Sequence, residues 1–208
     1  MNLYKKTVGD IREKKNRAEN GGVNAIPFKL PALSQYVPGI MQEVQYGLTA
    51  ESGASKSKFV RYNFVQTPYD FYMENKDILD IDVEIFIFCL EDSADTVMKN
   101  LIVSALAKQR KIRISTLILN SYFQDNILPD NIMREIDSLD PYFEHFLSKV
   151  HIIDDVRNPY GIYKSVENRL LDPTIGNFYD LHDNVIPREK LSSEEFKTVP
   201  KKYKSKHS

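Results

Sequence analysis

Tryptophan is missing, cysteine occurs once, and only eight glycines are spread over 208 residues. A single Cys89 excludes an intramolecular disulfide framework and any zinc site built from several thiolates. No apolar run reaches the roughly 20 residues of a membrane-spanning helix. The opening MNLYKKTVGDIREKKN has no apolar stretch behind its charges, so it does not read as a secretory signal, and the expected setting is cytoplasmic. Neither sign of charge dominates, with 28 basic against 29 acidic side chains. No global field therefore draws the chain to nucleic acid or to an acidic membrane, and such binding would need a local patch or an oligomer.

What is present is enough to build a sizeable core. Hydrophobic residues make up 42% of the chain, which at this length suits one globular unit with polar ends. Residues 1–25 read as an arm or short helix followed by a linker punctuated by Asn20-Gly21-Gly22. Residues 172–208 read as a polar, disordered tail, basic at its end. Between them apolar strands alternate with amphipathic helices. That order predicts an α/β domain over 26–171, with a mostly parallel sheet and flanking helices.

The alternation Glu43-Val44-Gln45-Tyr46-Gly47-Leu48-Thr49 predicts a half-buried strand. A helix is expected from Lys58, carrying Phe59, Val60, Phe64 and Val65 on one face until Pro68 stops it. Ile81 to Leu90 becomes continuously apolar, as a central parallel strand covered on both faces would. Asp92 or Ser93 can cap the helix after it. Further on, Pro129 begins a helix running to about Leu147, Val150 to Ile153 forms a strand, and Tyr163 to Leu171 forms a helix.

Between the first expected strand and helix stands Ala50-Glu51-Ser52-Gly53-Ala54-Ser55-Lys56-Ser57. A nucleoside triphosphate needs converging backbone N–H groups, a helix N-terminus, a lysine for its outer phosphates and a hydroxyl for magnesium. The eight residues keep Gly53, Lys56 and Ser57 of the pattern G-x-x-x-x-G-K-[ST], while Ala50 and Ser55 replace its glycines. Ser55 falls where a backbone approaching phosphate adopts an uncommon φ. The same octet also describes an ordinary serine-rich turn with an exposed lysine. Glu91, at the end of the apolar strand, stands where an open parallel sheet presents its ligands. There it could activate a water, or it could belong to a helix-capping acidic cluster. His145 and His151 lack partners at metal-like spacing, and Cys89 reads as a small buried residue.

Taken in order, Pro27-Phe28-Lys29-Leu30-Pro31-Ala32-Leu33, Val37-Pro38-Gly39-Ile40, the octet, Ile87-Phe88-Cys89-Leu90-Glu91-Asp92-Ser93 and Val150-His151-Ile152-Ile153-Asp154-Asp155 resemble the RecA-like ATPase domain of DnaB-type replicative hexameric helicases, in a divergent, phage-like form. The resemblance implies a partial RecA-like P-loop NTPase fold. It further implies ATP and Mg²⁺ as ligands, bound by Ser52, Gly53, Ala54, Ser55, Lys56 and Ser57, with Ser57 on the metal and Lys56 and Glu91 catalytic. Single-stranded DNA would bind only in a complete ring, a homo-hexamer in the family, working in a host cytoplasm if phage-encoded. The family's magnesium-binding strand ending in aspartate and its arginine finger have no counterpart before Ser208. The expectation is therefore a domain incomplete on its C-terminal side, from a truncated or split gene, marginally stable alone. The alternative is a nonenzymatic protein that uses this fold to regulate a helicase or primase. A small P-loop kinase fits less well, because no lid or acceptor motif is found.

Overall fold

A computed structural model describes residues 3–41, 44–79, 81–170, 176–179, 185–186 and 202–205. The chain divides into two compact units, residues 1–83 with 173–208, and residues 84–172. The division falls inside the stretch that the sequence reads as one domain.

In the first unit, α1 (Leu3–Glu19) has no buried residue. It ends where Gly21, at φ 78°, donates to Ala18 O and Gly22 donates to Arg17 O, a Schellman closure that satisfies two orphan carbonyls. An isolated bridge joins Ile26 to Ile40, and α2 (Pro31–Ser34) lies between them. Gly39 is obligatory at this bridge: at φ 155°, a Cβ here would lie 2.1 Å from Ile26 O. Next come α3 (Lys56–Val60), a π-helical turn (Arg61–Gln66) and α4 (Thr67–Asn75), continuous with one another.

Pro68 does not stop this helix. Thr67 N–H bonds to Tyr62 O in the wider π ladder, and Thr67 Oγ1 donates to the same oxygen at 2.9 Å. The widened turn takes up the ring and the missing donor that would break an α-helical ladder. Around it Val65, Tyr69, Asn63 and Thr67 are buried, and Phe28, Tyr46 and Phe64 form an aromatic trio with centroids 5.5 to 6.3 Å apart.

Residues 44–50 are not a strand. Their alternation is real, but Val44 and Leu48 are exposed and only Tyr46 is partly covered. Its ring joins the trio, and its hydroxyl donates to Gly39 O at 2.7 Å and accepts from Met41 N at 3.0 Å. Side-chain anchoring replaces a ladder.

In the second unit, β1 (Ile85–Phe88) leads into α5 (Ala94–Ala105), which a second π turn (Leu106–Arg110) extends to Lys111. Then follow α6 (Thr116–Leu119), α7 (Asp130–Asp137), α8 (Asp140–Lys149), β2 (Val150–Ile153) and α9 (Pro159–Leu170). The expected helix from Pro129 to Leu147 is thus two helices, parted just before Pro141, whose lack of an N–H suits a first turn. β1 and β2 pair in parallel, Ile85 opposite Val150 through Phe88 opposite Ile153, as strands joined by a long helical crossover do.

β1 is shorter than the apolar run suggests, and among the described residues it is one of two strands in its sheet rather than the centre of a larger one. Both its faces are half-buried. The core lies under the helices: Val97, Leu101, Ala105, Leu106, Leu139, Phe143, Phe146 and Val150 are buried, with α5 and α8 against β2. Full burial of a side chain such as Phe146 stabilises by about 1.5–3 kcal/mol.

In the C-terminal stretch read as a disordered tail, β3 (Gly176–Tyr179) pairs antiparallel with β4 (Lys202–Ser205), and Ile186 is buried. The rest of 172–208 lies outside the described residues, apart from Val185. Coarsely, the protein is a mixed α/β chain of many helices and a small parallel sheet.

Candidate functional site

The octet 50–57 lies in the first unit and is exposed apart from the half-buried Lys56. It arrives from Tyr46, turns at Ser52-Gly53, and enters α3 at Lys56. Gly53 has φ 79°, and a side chain added there would meet only open space. Ser55 adopts φ 62° and ψ 30°, the left-handed region that glycine would occupy without cost. The uncommon φ anticipated for this position is thus present, held by a serine. A left-handed residue followed by right-handed ones turns successive N–H groups toward one concavity, the arrangement that favours anions.

Ser55 offers no side-chain cap to α3, and its carbonyl accepts from Phe59 N–H at 3.0 Å. The N–H groups of Lys56, Ser57 and Lys58 therefore open a helix without an intrahelical acceptor. Lys56 folds back across the loop, and its Nζ donates to Ala50 O at 2.7 Å and to Glu51 O at 2.9 Å. The ammonium is thereby stationed over the same loop, in which Ala54 N–H is spent on Glu51 O at 3.3 Å while the first amides of α3 stay open. This donor set suits phosphate. For Mg²⁺ the hydroxyl that the pattern provides is that of Ser57, an exposed residue in the first turn of α3, and one such ligand fits an ion held mainly by phosphate oxygens and water.

Glu91 is exposed, just beyond β1 and Cys89, in the second unit. It does not cap α5. Ser93 accepts from Thr96 N–H, and the first amide, Ala94 N–H, donates to Asp154 Oδ2 at 2.7 Å. The helix entrance beside Glu91 is thus already occupied by a carboxylate from the end of β2. Cys89 is buried, as expected of a small strand residue. Among the described residues no cluster of three or more His, Cys, Asp or Glu could hold a metal ion.

One polar cluster goes unnoticed in a linear reading. Glu84 Oε1 receives both His151 Nε2 at 2.8 Å and Arg169 Nε at 2.5 Å. These three residues tie the entry to β1, the middle of β2 and the end of α9, beside the Phe86 ring that lies 4.9 Å from the imidazole. The parallel register explains it: Glu84, Phe86 and His151 share a face once Phe86 stands opposite His151. His151 thus has a packing and pairing role.

No described helix is long and apolar enough to cross a membrane. No protein-family model, curated protein or solved structure matches this chain.

Proposed function

We propose that the first unit is the nucleoside-triphosphate-binding portion of a RecA-like, DnaB-type replicative DNA helicase, reached through the loop Ser52 to Ser57. One observation carries the reading: Lys56 is poised on the carbonyls of its own loop while Ser55 takes the left-handed conformation that opens the amides of α3. An incoming triphosphate would exchange those carbonyls for its outer oxygens as partners of the ammonium, and the amides of residues 53–57 would cradle its inner phosphates.

Magnesium, when bound, would neutralise phosphate charge, with the Ser57 hydroxyl as its protein ligand. Hydrolysis would serve translocation on single-stranded DNA in a homo-hexamer. The test is magnesium-dependent binding of ATP by the full chain. Binding that Lys56→Ala abolishes supports the proposal, and equal affinity in both proteins refutes it.

A second reading is favoured by the loop's approach. Residues 44–50 form no strand, so the loop rests on Tyr46 rather than on a sheet. A protein that keeps the loop without turning nucleotide over, and regulates a helicase or primase, would show no thermal shift with ATP and a stable complex with its partner.

A further inference from the structure

The π turn between α3 and α4 is kept at a cost. Asn63 is fully buried, and its Nδ2 donates to Phe59 O at 3.0 Å, yet its Oδ1 takes no hydrogen bond among the described residues. A buried amide oxygen without a donor weakens a fold, and π turns are themselves rare. A conformation held against such costs points to a use for it.

Two buried neighbours, Thr67 and Pro68, hold the register. Thr67 reaches Tyr62 O twice, with its N–H and with Oγ1 at 2.9 Å, and so fixes the ladder at its wide step. Pro68 excludes the alternative. In an α ladder it would leave Phe64 O without a donor and press its ring on that oxygen.

The register sets how the phosphate loop is anchored. Phe64 lies inside the π turn, with its ring 5.5 Å from that of Tyr46 and 5.6 Å from that of Phe28. Tyr46, fastened to Gly39 and Met41, holds the loop's entrance, while α3 carries its exit, where Lys56 bonds Ala50 O and Glu51 O. The excursion through Ser52 and Ser57 is thus closed between Tyr46 and the π turn. An α register is one residue out of step, a turn of about 100°. Phe64 would then leave Tyr46, or keep it only by swinging α3 out of place.

We infer that Thr67 and Pro68 are positioning residues for the phosphate loop: by holding the π register they keep Phe64 on Tyr46 and so fix the loop's entrance relative to Lys56 and Ser57. The inference rests on the nucleotide-binding reading of that loop. Neither residue belongs to the octet, and both act through the helix behind it.

The test uses the full chain and a double variant, Thr67→Val with Pro68→Ala, which removes the hydroxyl and restores the helix donor. Spin labels on cysteines placed at the exposed positions Lys58 and Met73, in a Cys89→Ser background, report the phase of α3 against α4 without nucleotide. The double variant should shift that distance by several ångströms, and its affinity for ATP with magnesium should fall about tenfold or more as preorganisation is lost. Its melting temperature should hold or rise, whereas residues with a structural role alone would lose stability and binding together. Thr67→Ser keeps the hydroxyl and should keep both the distance and the affinity. An unchanged distance in the double variant, a changed distance with wild-type affinity, or a Thr67→Ser protein that binds as poorly as the double variant would each overturn the inference. A wild type that binds no ATP overturns the nucleotide reading and this coupling with it, while the label distance still decides separately whether Thr67 and Pro68 set the register.

Discussion

The amide of Ala94 and the carboxylate of Asp154, 60 residues apart in the chain, meet at 2.7 Å and close the first turn of α5. The parallel pairing of β1 and β2 brings their carboxyl ends side by side, so an aspartate just past β2 reaches the helix that starts just past β1. The contact combines a hydrogen bond with a negative charge at a helix N-terminus. It also leaves Glu91 beside the helix entrance rather than on it.

Asp154→Ala should lower stability by about 1–2 kcal/mol, the usual cost of losing such a cap. Asp154→Asn should lose less, since an amide oxygen still accepts the hydrogen bond but carries no charge. Urea titrations of wild type and both variants would measure it, and an alanine variant as stable as wild type would show that Ser93 alone caps α5.

Ser55→Gly restores the glycine that the phosphate-loop pattern carries. With φ at 62°, the serine is strained where glycine is not, so the variant should be more stable by about 0.4–1 kcal/mol despite the greater entropy of its unfolded chain. It should also bind triphosphate more tightly, because no side chain stands at the closest backbone approach. Isothermal titration with ATP and magnesium, set beside a thermal melt, reads both effects.

Alkaline pH should destabilise the first unit. Burial, and then the nearby Asp70 and Tyr72, push the Tyr69 hydroxyl up from 10.0 to about 12. A raised pKa means that the folded state keeps a proton that the unfolded chain gives up. The resulting stability is therefore complete below pH 10 and is lost between there and about 12. Lys29 acts in the same direction. Partial burial opposes its charge, but Asp70 and Glu74, each 3.3 Å away, raise its pKa above 10.5, and their support disappears as the amine deprotonates. Denaturation midpoints measured upward from pH 9 should fall. In Tyr69→Phe the fall should be smaller, and an unchanged slope would exclude Tyr69 as its source.

Much of the helical structure is legible in linear order. Ser93 before Ala94, the apolar spacing of Val97, Leu101 and Ala105, and the strand Val150 to Ile153 all follow from local capping and periodicity. Elsewhere local rules fail for identifiable reasons. Alternation at 44–50 marks a strand only where a partner strand exists, and here Tyr46 anchors the segment through Gly39 and Met41 instead. Pro68 ends a helix only in an α ladder, whereas this ladder has already widened at Tyr62 and Thr67.

Residue chemistry by itself determined the loop's ingredients, its lysine, its hydroxyls and its one glycine, and the position of Ser55 as the point of backbone strain. Tertiary structure decided what each group faces. It set Lys56 on the carbonyls of Ala50 and Glu51, delivered Asp154 to α5 and joined Glu84 to His151 and Arg169. Spacing along a chain specifies conformations of neighbours through sterics and capping, but charges distant in sequence meet only after strand register and helix packing have brought their backbones together.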